Sequence, residues 1–95
     1  MSFAFLAVHH PKPECRQNLL DGMLAMRAVL AEAPGFVDAG PWVELGGSRI
    51  VGISYWDSAA AFRAAAPPGF GRPSAEVPDW ETRPREQFHL ERYRP

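Results

Sequence analysis

The spacing of apolar and polar positions changes several times along the chain, and each change marks an element. Residues 2–10 carry Phe3, Phe5 and Ala7 on one alternate set of positions and Ala4, Leu6 and Val8 on the other, until Pro11-Lys12-Pro13 ends the run. A strand apolar on both faces is covered on both, which predicts a central place in its sheet. The spacing then becomes helical. Cys15, Leu19, Met23, Met26, Leu30 and Ala33 recur at intervals of three and four, and Leu20 and Leu24 widen the stripe. Proline and a carboxylate suit a first helical turn, so the helix is predicted to begin at Pro13 or Glu14. Pro34-Gly35 stops it.

Phe36 to Leu45 predicts a second strand with Pro41 inside it. Proline cannot donate to a central ladder, so this strand belongs at an edge or carries a bulge. Gly46-Gly47 suits the positive φ angles of a tight hairpin, and Arg49 to Trp56 forms the third, antiparallel strand. Asp57 or Ser58 caps a short helix, Ala59 to Ala66, which Pro67-Pro68-Gly69 terminates. Residues 67–86 are rich in proline and glycine and lack a period, which predicts a long loop or lid. Gln87 to Arg94 alternates again and predicts a half-buried fourth strand.

Strand, helix, strand, strand, helix, strand is the order of a split βαβ unit with right-handed crossovers. The predicted fold is α+β, a ferredoxin-like βαββαβ domain over residues 1–95, with a four-stranded antiparallel sheet and both helices on one face. The first strand is then central and the second an edge, where Pro41 is tolerated. The other sheet face has no helix over it. Trp42, Tyr55, Trp56, Phe88 and Tyr93 exceed what two helices can cover, so an apolar face is left for association. A second copy is the economical cover, which predicts a homodimer with a ligand space.

Composition narrows the function classes. The chain has 95 residues, is 46% hydrophobic and carries a formal net charge of −1, which excludes disorder by composition. Its nine Arg and one Lys are scattered, so no basic stripe points to nucleic acid. The apolar N-terminal run is too short for a leader or a membrane span, and Cys15 has no partner for a disulfide. A cytoplasmic protein is expected, with Cys15 either a nucleophile or a small residue on a helix face.

Ala33-Pro34-Gly35-Phe36 and Tyr55-Trp56-Asp57-Ser58-Ala59-Ala60-Ala61-Phe62 resemble the Pro-Gly-Phe turn and the Trp-x-Ser/Asp-x-x-Ala-Phe segment of the antibiotic biosynthesis monooxygenase family. That family lies within the dimeric α/β-barrel superfamily. The resemblance covers residues 2–66 and the last strand loosely. It implies a homodimer with a cavity between sheet and helices in each subunit. Some relatives oxygenate aromatic polyketides without metal, flavin or haem, others degrade haem, and others act on small signalling molecules. The haem-degrading pattern of a first-strand Asn, a Trp in the second helix and a His after it is missing: the only Asn is Asn18, and no His lies between His10 and His89.

The reading that results is a small oxygenase acting on an apolar, aromatic or quinone-like molecule, with no cofactor and no metal. Its rivals are a non-catalytic ligand-binding or stress-associated dimer and an isomerase-type reaction. A base near neutral pH points to histidine. Antiparallel pairing of the first and last strands brings His9 or His10 toward His89, so His9, His89 and Tyr55 are the catalytic candidates. Trp56, Phe62, Trp80 and Trp42 are the candidate substrate contacts. Trp56 alternatively packs helix on sheet, and Trp42 alternatively makes the dimer contact. Trp80, in an otherwise polar segment, lids the cavity or grips the partner. The charges around it are read as a solvated face. A metal set of two imidazoles with Glu44 or Glu91 lacks a tight ligand spacing.

Overall fold

The computed structural model describes residues 1–72 and 74–95. The elements follow in the predicted order: β1 (Phe3–His9), a 3-10 turn (Pro13–Cys15), α1 (Arg16–Leu30), β2 (Phe36–Val43), β3 (Ile50–Trp56), α2 (Ala59–Ala65) and β4 (Glu86–Glu91). The sheet order is β2-β3-β1-β4 and every pair is antiparallel. β1 is therefore central and β2 an edge, as Pro41 requires. The bulge in β2 falls between Phe36 and Asp38, away from the proline, which faces Gly52.

Local chemistry accounts for the boundaries. Ser58 is the cap of α2, its Oγ accepting from Ala61 N–H at 3.1 Å. After α1 the chain turns at Gly35, where φ is +83° and a Cβ would meet Ala61 Cβ at 2.6 Å. Only glycine satisfies both the conformation and the contact. The β2–β3 connection is longer than a two-residue hairpin: Glu44 accepts from the Arg49 backbone and guanidinium, and only Gly46 of the glycine pair has positive φ. β4 stops at Glu91, and Tyr93 beyond it is exposed.

Burial along β1 alternates strictly, with Phe3, Phe5, Ala7 and His9 under the helices and Ala4, Leu6 and Val8 half-buried on the other face. Trp56 belongs to the covered face, not the open one. It is fully buried, donates its indole N–H to Ser54 Oγ at 2.9 Å, and packs edge-on against Phe36 and Phe62. Phe62 in turn lies 5.1 Å, ring centre to ring centre, from both Phe3 and Phe5. This aromatic core fills the space below α2. The stripe on α1 behaves differently: Leu19 and Leu30 are buried, Met23 and Met26 only half-buried, and Leu24 exposed. α1 stands off the sheet between its ends and leaves a space.

Candidate functional site

The space below α1 is a cavity of roughly 700 Å³. Phe5, Ala7 and His9 of β1 with Gly52 and Ser54 of β3 form its floor, Leu19, Met23 and Met26 its roof, and residues 69–72 and 76–80 with Arg85 and Gln87 its side. Gly52 keeps the floor open, since a Cβ there would meet Met23 Cε at 2.6 Å.

His9 enters this space because it is the last inward position of β1. Just after it, the chain meets the segment before β4. The turn Pro78–Glu81 closes with Glu81 N–H to Pro78 O at 2.9 Å, Lys12 N–H donates to Trp80 O at 2.8 Å, and Thr82 N–H donates to His10 O at 2.8 Å. These bonds lay Glu81 against the end of β1, where it is 1% exposed. Its carboxylate accepts from His10 N–H at 3.1 Å, from Arg85 Nε at 2.6 Å and from His9 Nδ1 at 3.3 Å.

Burial is the largest influence on His9 and disfavours the imidazolium. Glu81 opposes it, Arg85 and His10 add to it, and the result lies below the ordinary 6.5. For Glu81 burial is also the largest single influence and acts upward. The hydrogen bonds from Arg85 and His10 N–H, with the charges of His9 and Arg85, together outweigh it and hold the carboxyl below 4.5. An ionised carboxylate only accepts, so the neutral imidazole carries its proton on Nδ1 and presents a lone pair at Nε2. Nε2 lies 3.7 Å from where a Gly52 Cβ would stand and has no hydrogen-bond partner among the described residues. A carboxylate-oriented imidazole whose free nitrogen faces a cavity can accept a proton there.

The other sequence candidates lie elsewhere. His89 faces Phe5 across the β1–β4 ladder, so the register keeps it away from His9. Its Nε2–H donates to Gly71 O at 3.0 Å while its ring packs against Phe5 and Phe62. That contact positions the loop at Gly71. His10 is committed to Glu86, Nε2 to Oε1 at 2.8 Å. Tyr55 is on the opposite sheet face, beside a smaller hollow of roughly 250 Å³ with Ala4 and Leu90. Trp56 and Phe62 are core residues that do not line the main cavity, and Trp42 is 61% exposed on the open face. Trp80 does line the cavity, its ring reaching α1 at Gly22, where a Cβ would come within 3.9 Å.

Glu81 corrects the sequence reading most: it is buried rather than on a solvated face, while Arg85 keeps 38% of its side chain exposed and turns its Nε inward to Glu81. The signal for them was Trp80: a tryptophan in a proline-bounded polar segment pulls its neighbours down with it. Glu44 is spent on Arg49, and among the described residues no cluster of three or more His, Cys, Asp or Glu side chains is arranged to hold a metal ion. Among them also, no helix is long and apolar enough to cross a membrane.

No protein-family model matches this sequence, and no curated protein matches it. Solved structures do match in three dimensions. Rv0793 from Mycobacterium tuberculosis is similar at a TM-score of 0.77 and 18% identity, over 100% of this chain and 98% of that one. The heme-degrader MhuD (Rv3592) from the same organism, with two hemes bound in its active site, is similar at 0.68 and 15%, over 98% and 97%. A monooxygenase from the gene ActVA-Orf6 of Streptomyces coelicolor, in complex with nanaomycin D, is similar at 0.70 and 18%, over 99% and 89%. The chain has the α+β ferredoxin-like fold of these proteins, the fold that its resemblance to the antibiotic biosynthesis monooxygenase family implied.

Proposed function

We propose that this chain is a small cofactor-independent oxygenase that oxidises an aromatic or quinone-like molecule in the cavity below α1, working as a homodimer. One observation carries the reading: a neutral His9 held through Nδ1 by the buried Glu81, with Nε2 directed at an apolar cavity. In such a reaction the substrate supplies the electrons. His9 takes a proton from an activated C–H or O–H group, and Glu81 stabilises the imidazolium that forms. The electron-rich substrate anion then reduces dioxygen. For a methylene between aromatic rings, one oxygen atom becomes the carbonyl oxygen and the other leaves as water with the two hydrogens. Leu19, Met23, Met26 and Phe5 keep water from the anion.

The fold neighbours support a small-molecule role, since one is a monooxygenase holding nanaomycin D and another a heme-degrader with hemes in its active site. The dimer reading is supported by the open sheet face, where Trp42, Phe88 and Leu90 are 61%, 44% and 44% exposed.

Oxygen uptake with a panel of anthrones and hydroquinones, in the presence of a chelator, tests the reading. Uptake by the wild type is expected, with a fall of about a hundredfold or more in His9→Gln. No uptake above background with any compound, or full uptake by His9→Gln, defeats it. Binding without uptake leaves a non-catalytic ligand holder.

A further inference from the structure

We propose that the cavity holds its ligand as an oxyanion on the guanidinium of Arg85 beside His9, so that the ligand class is a planar molecule with a weakly acidic hydroxyl, a phenol or an enol. The inference rests on His9 acting as the base of the cavity and adds the group that receives the charge.

A single carboxylate oxygen assembles the pair. Glu81 Oε2 accepts from Arg85 Nε at 2.6 Å and from His9 Nδ1 at 3.3 Å. Those two nitrogens are thus no farther apart than the two bond lengths together, and both side chains line the same cavity. Arg85 spends only Nε on Glu81, and among the described residues its two terminal nitrogens have no hydrogen bond. They form a fork of donors suited to an oxygen anion.

Charge arithmetic gives the pairing a direction. Before proton transfer, Glu81 and Arg85 cancel and His9 is neutral. After His9 accepts a proton, this wall carries one net positive charge. It becomes complementary to an anion only when the ligand has given up its hydroxyl proton, which is the condition for favouring the ionised state over the neutral one. A permanently charged carboxylate ligand would leave the base without a task.

The remaining charges around the cavity do not replace Arg85. Arg27 is taken by Ala39 O at 2.6 Å and by Asp38 at 3.2 Å. Arg72 shares the cavity rim with two carboxylates, Glu76 and Asp79, and has no hydrogen bond with Glu81 or His9 among the described residues. His10 and Glu86 are bonded to one another behind the site, Nε2 to Oε1 at 2.8 Å.

The test uses the intact chain with 4-nitrophenol, whose anion is read by its absorbance, and its methyl ether, 4-nitroanisole. Bound 4-nitrophenol is expected to ionise about one pH unit or more below the free compound, a tenfold gain in phenolate fraction at fixed acidic pH. The ether is expected to bind more weakly by a similar factor. Arg85→Gln removes the shift and brings phenol and ether to similar affinity, and Arg85→Lys keeps part of the shift because the cation remains without its fork. The proposal is overturned if the bound phenol ionises at or above the pH of the free compound, if Arg85→Gln keeps the shift, or if neither probe binds. Should Arg85→Gln fail to fold, the wild-type shift and the phenol–ether comparison still decide. No turnover is involved, so a shift without oxygen uptake sinks only the oxygenase reading, and uptake without a shift sinks only this one.

Discussion

Replacing Glu81 by Gln probes both the fold and the site with almost no change in shape. The carboxylate is 1% exposed and accepts from three donors: His10 N–H, Arg85 Nε and His9 Nδ1. An amide retains one acceptor oxygen and turns its N–H₂ toward the remaining donors. Hydrogen bonds to a charged group are worth about 1.5–3 kcal/mol each, and breaking a buried ion pair costs about 3–5 kcal/mol. With one bond kept and two lost, the loss comes to about 3–5 kcal/mol, against roughly 5–14 kcal/mol for a domain of this length. Thermal unfolding followed by circular dichroism at neutral pH should show the midpoint falling by roughly 12–40 °C. Acid has a definite effect on this gap. The unfolded carboxyl takes a proton near 4.5 while the folded one stays ionised to lower pH, so the wild-type advantage exists above 4.5 and is lost as pH falls through the folded value. His9 lowers the stability of both proteins from 6.5 downward, because the unfolded imidazole protonates first, and it costs the variant more, since Gln no longer favours the imidazolium as Glu81 does. A midpoint within about 3 °C of wild type at neutral pH, or a gap that fails to close as pH falls below 4.5, would refute the burial and pairing of Glu81.

Trp80→Ala should weaken ligand binding about tenfold by calorimetry with little change in unfolding, since its ring covers the cavity while remaining 43% exposed. Trp56→Ala should destabilise by about 3–5 kcal/mol in denaturant titrations, because it empties a fully buried site among Phe36 and Phe62. A small loss there would place Trp56 outside the core. Trp42→Glu should shift sedimentation at micromolar concentration toward monomer, and an unchanged dimer would move the interface off the open face.

The sequence by itself determined the order and kind of the elements. Periods of two and of three to four, with Pro34-Gly35, Gly46 and Ser58 as punctuation, act over a few residues and need no tertiary context. Pro41 even placed β2 at an edge, because a missing N–H is a local fact. Register is not local. The β1–β4 pairing sets His89 opposite Phe5 and leaves it exposed at the rim of the aromatic cluster, a placement that no spacing along the chain could foretell. The face on which Tyr55 and Trp56 emerge follows alternation, but only the helices' position made one face core and the other open. Glu81, with the Arg85 that pairs with it, was least legible, because only its burial departs from a solvated face. A charged pair in a polar segment looks solvated until tertiary contacts fold that segment onto the end of β1, where His9 and His10 supply the donors that make a buried carboxylate tolerable. His9 was named as a base from its residue type. Its proton on Nδ1, its free Nε2 and its cavity exist only because a carboxylate seventy-two residues away in the chain was brought to 3.3 Å.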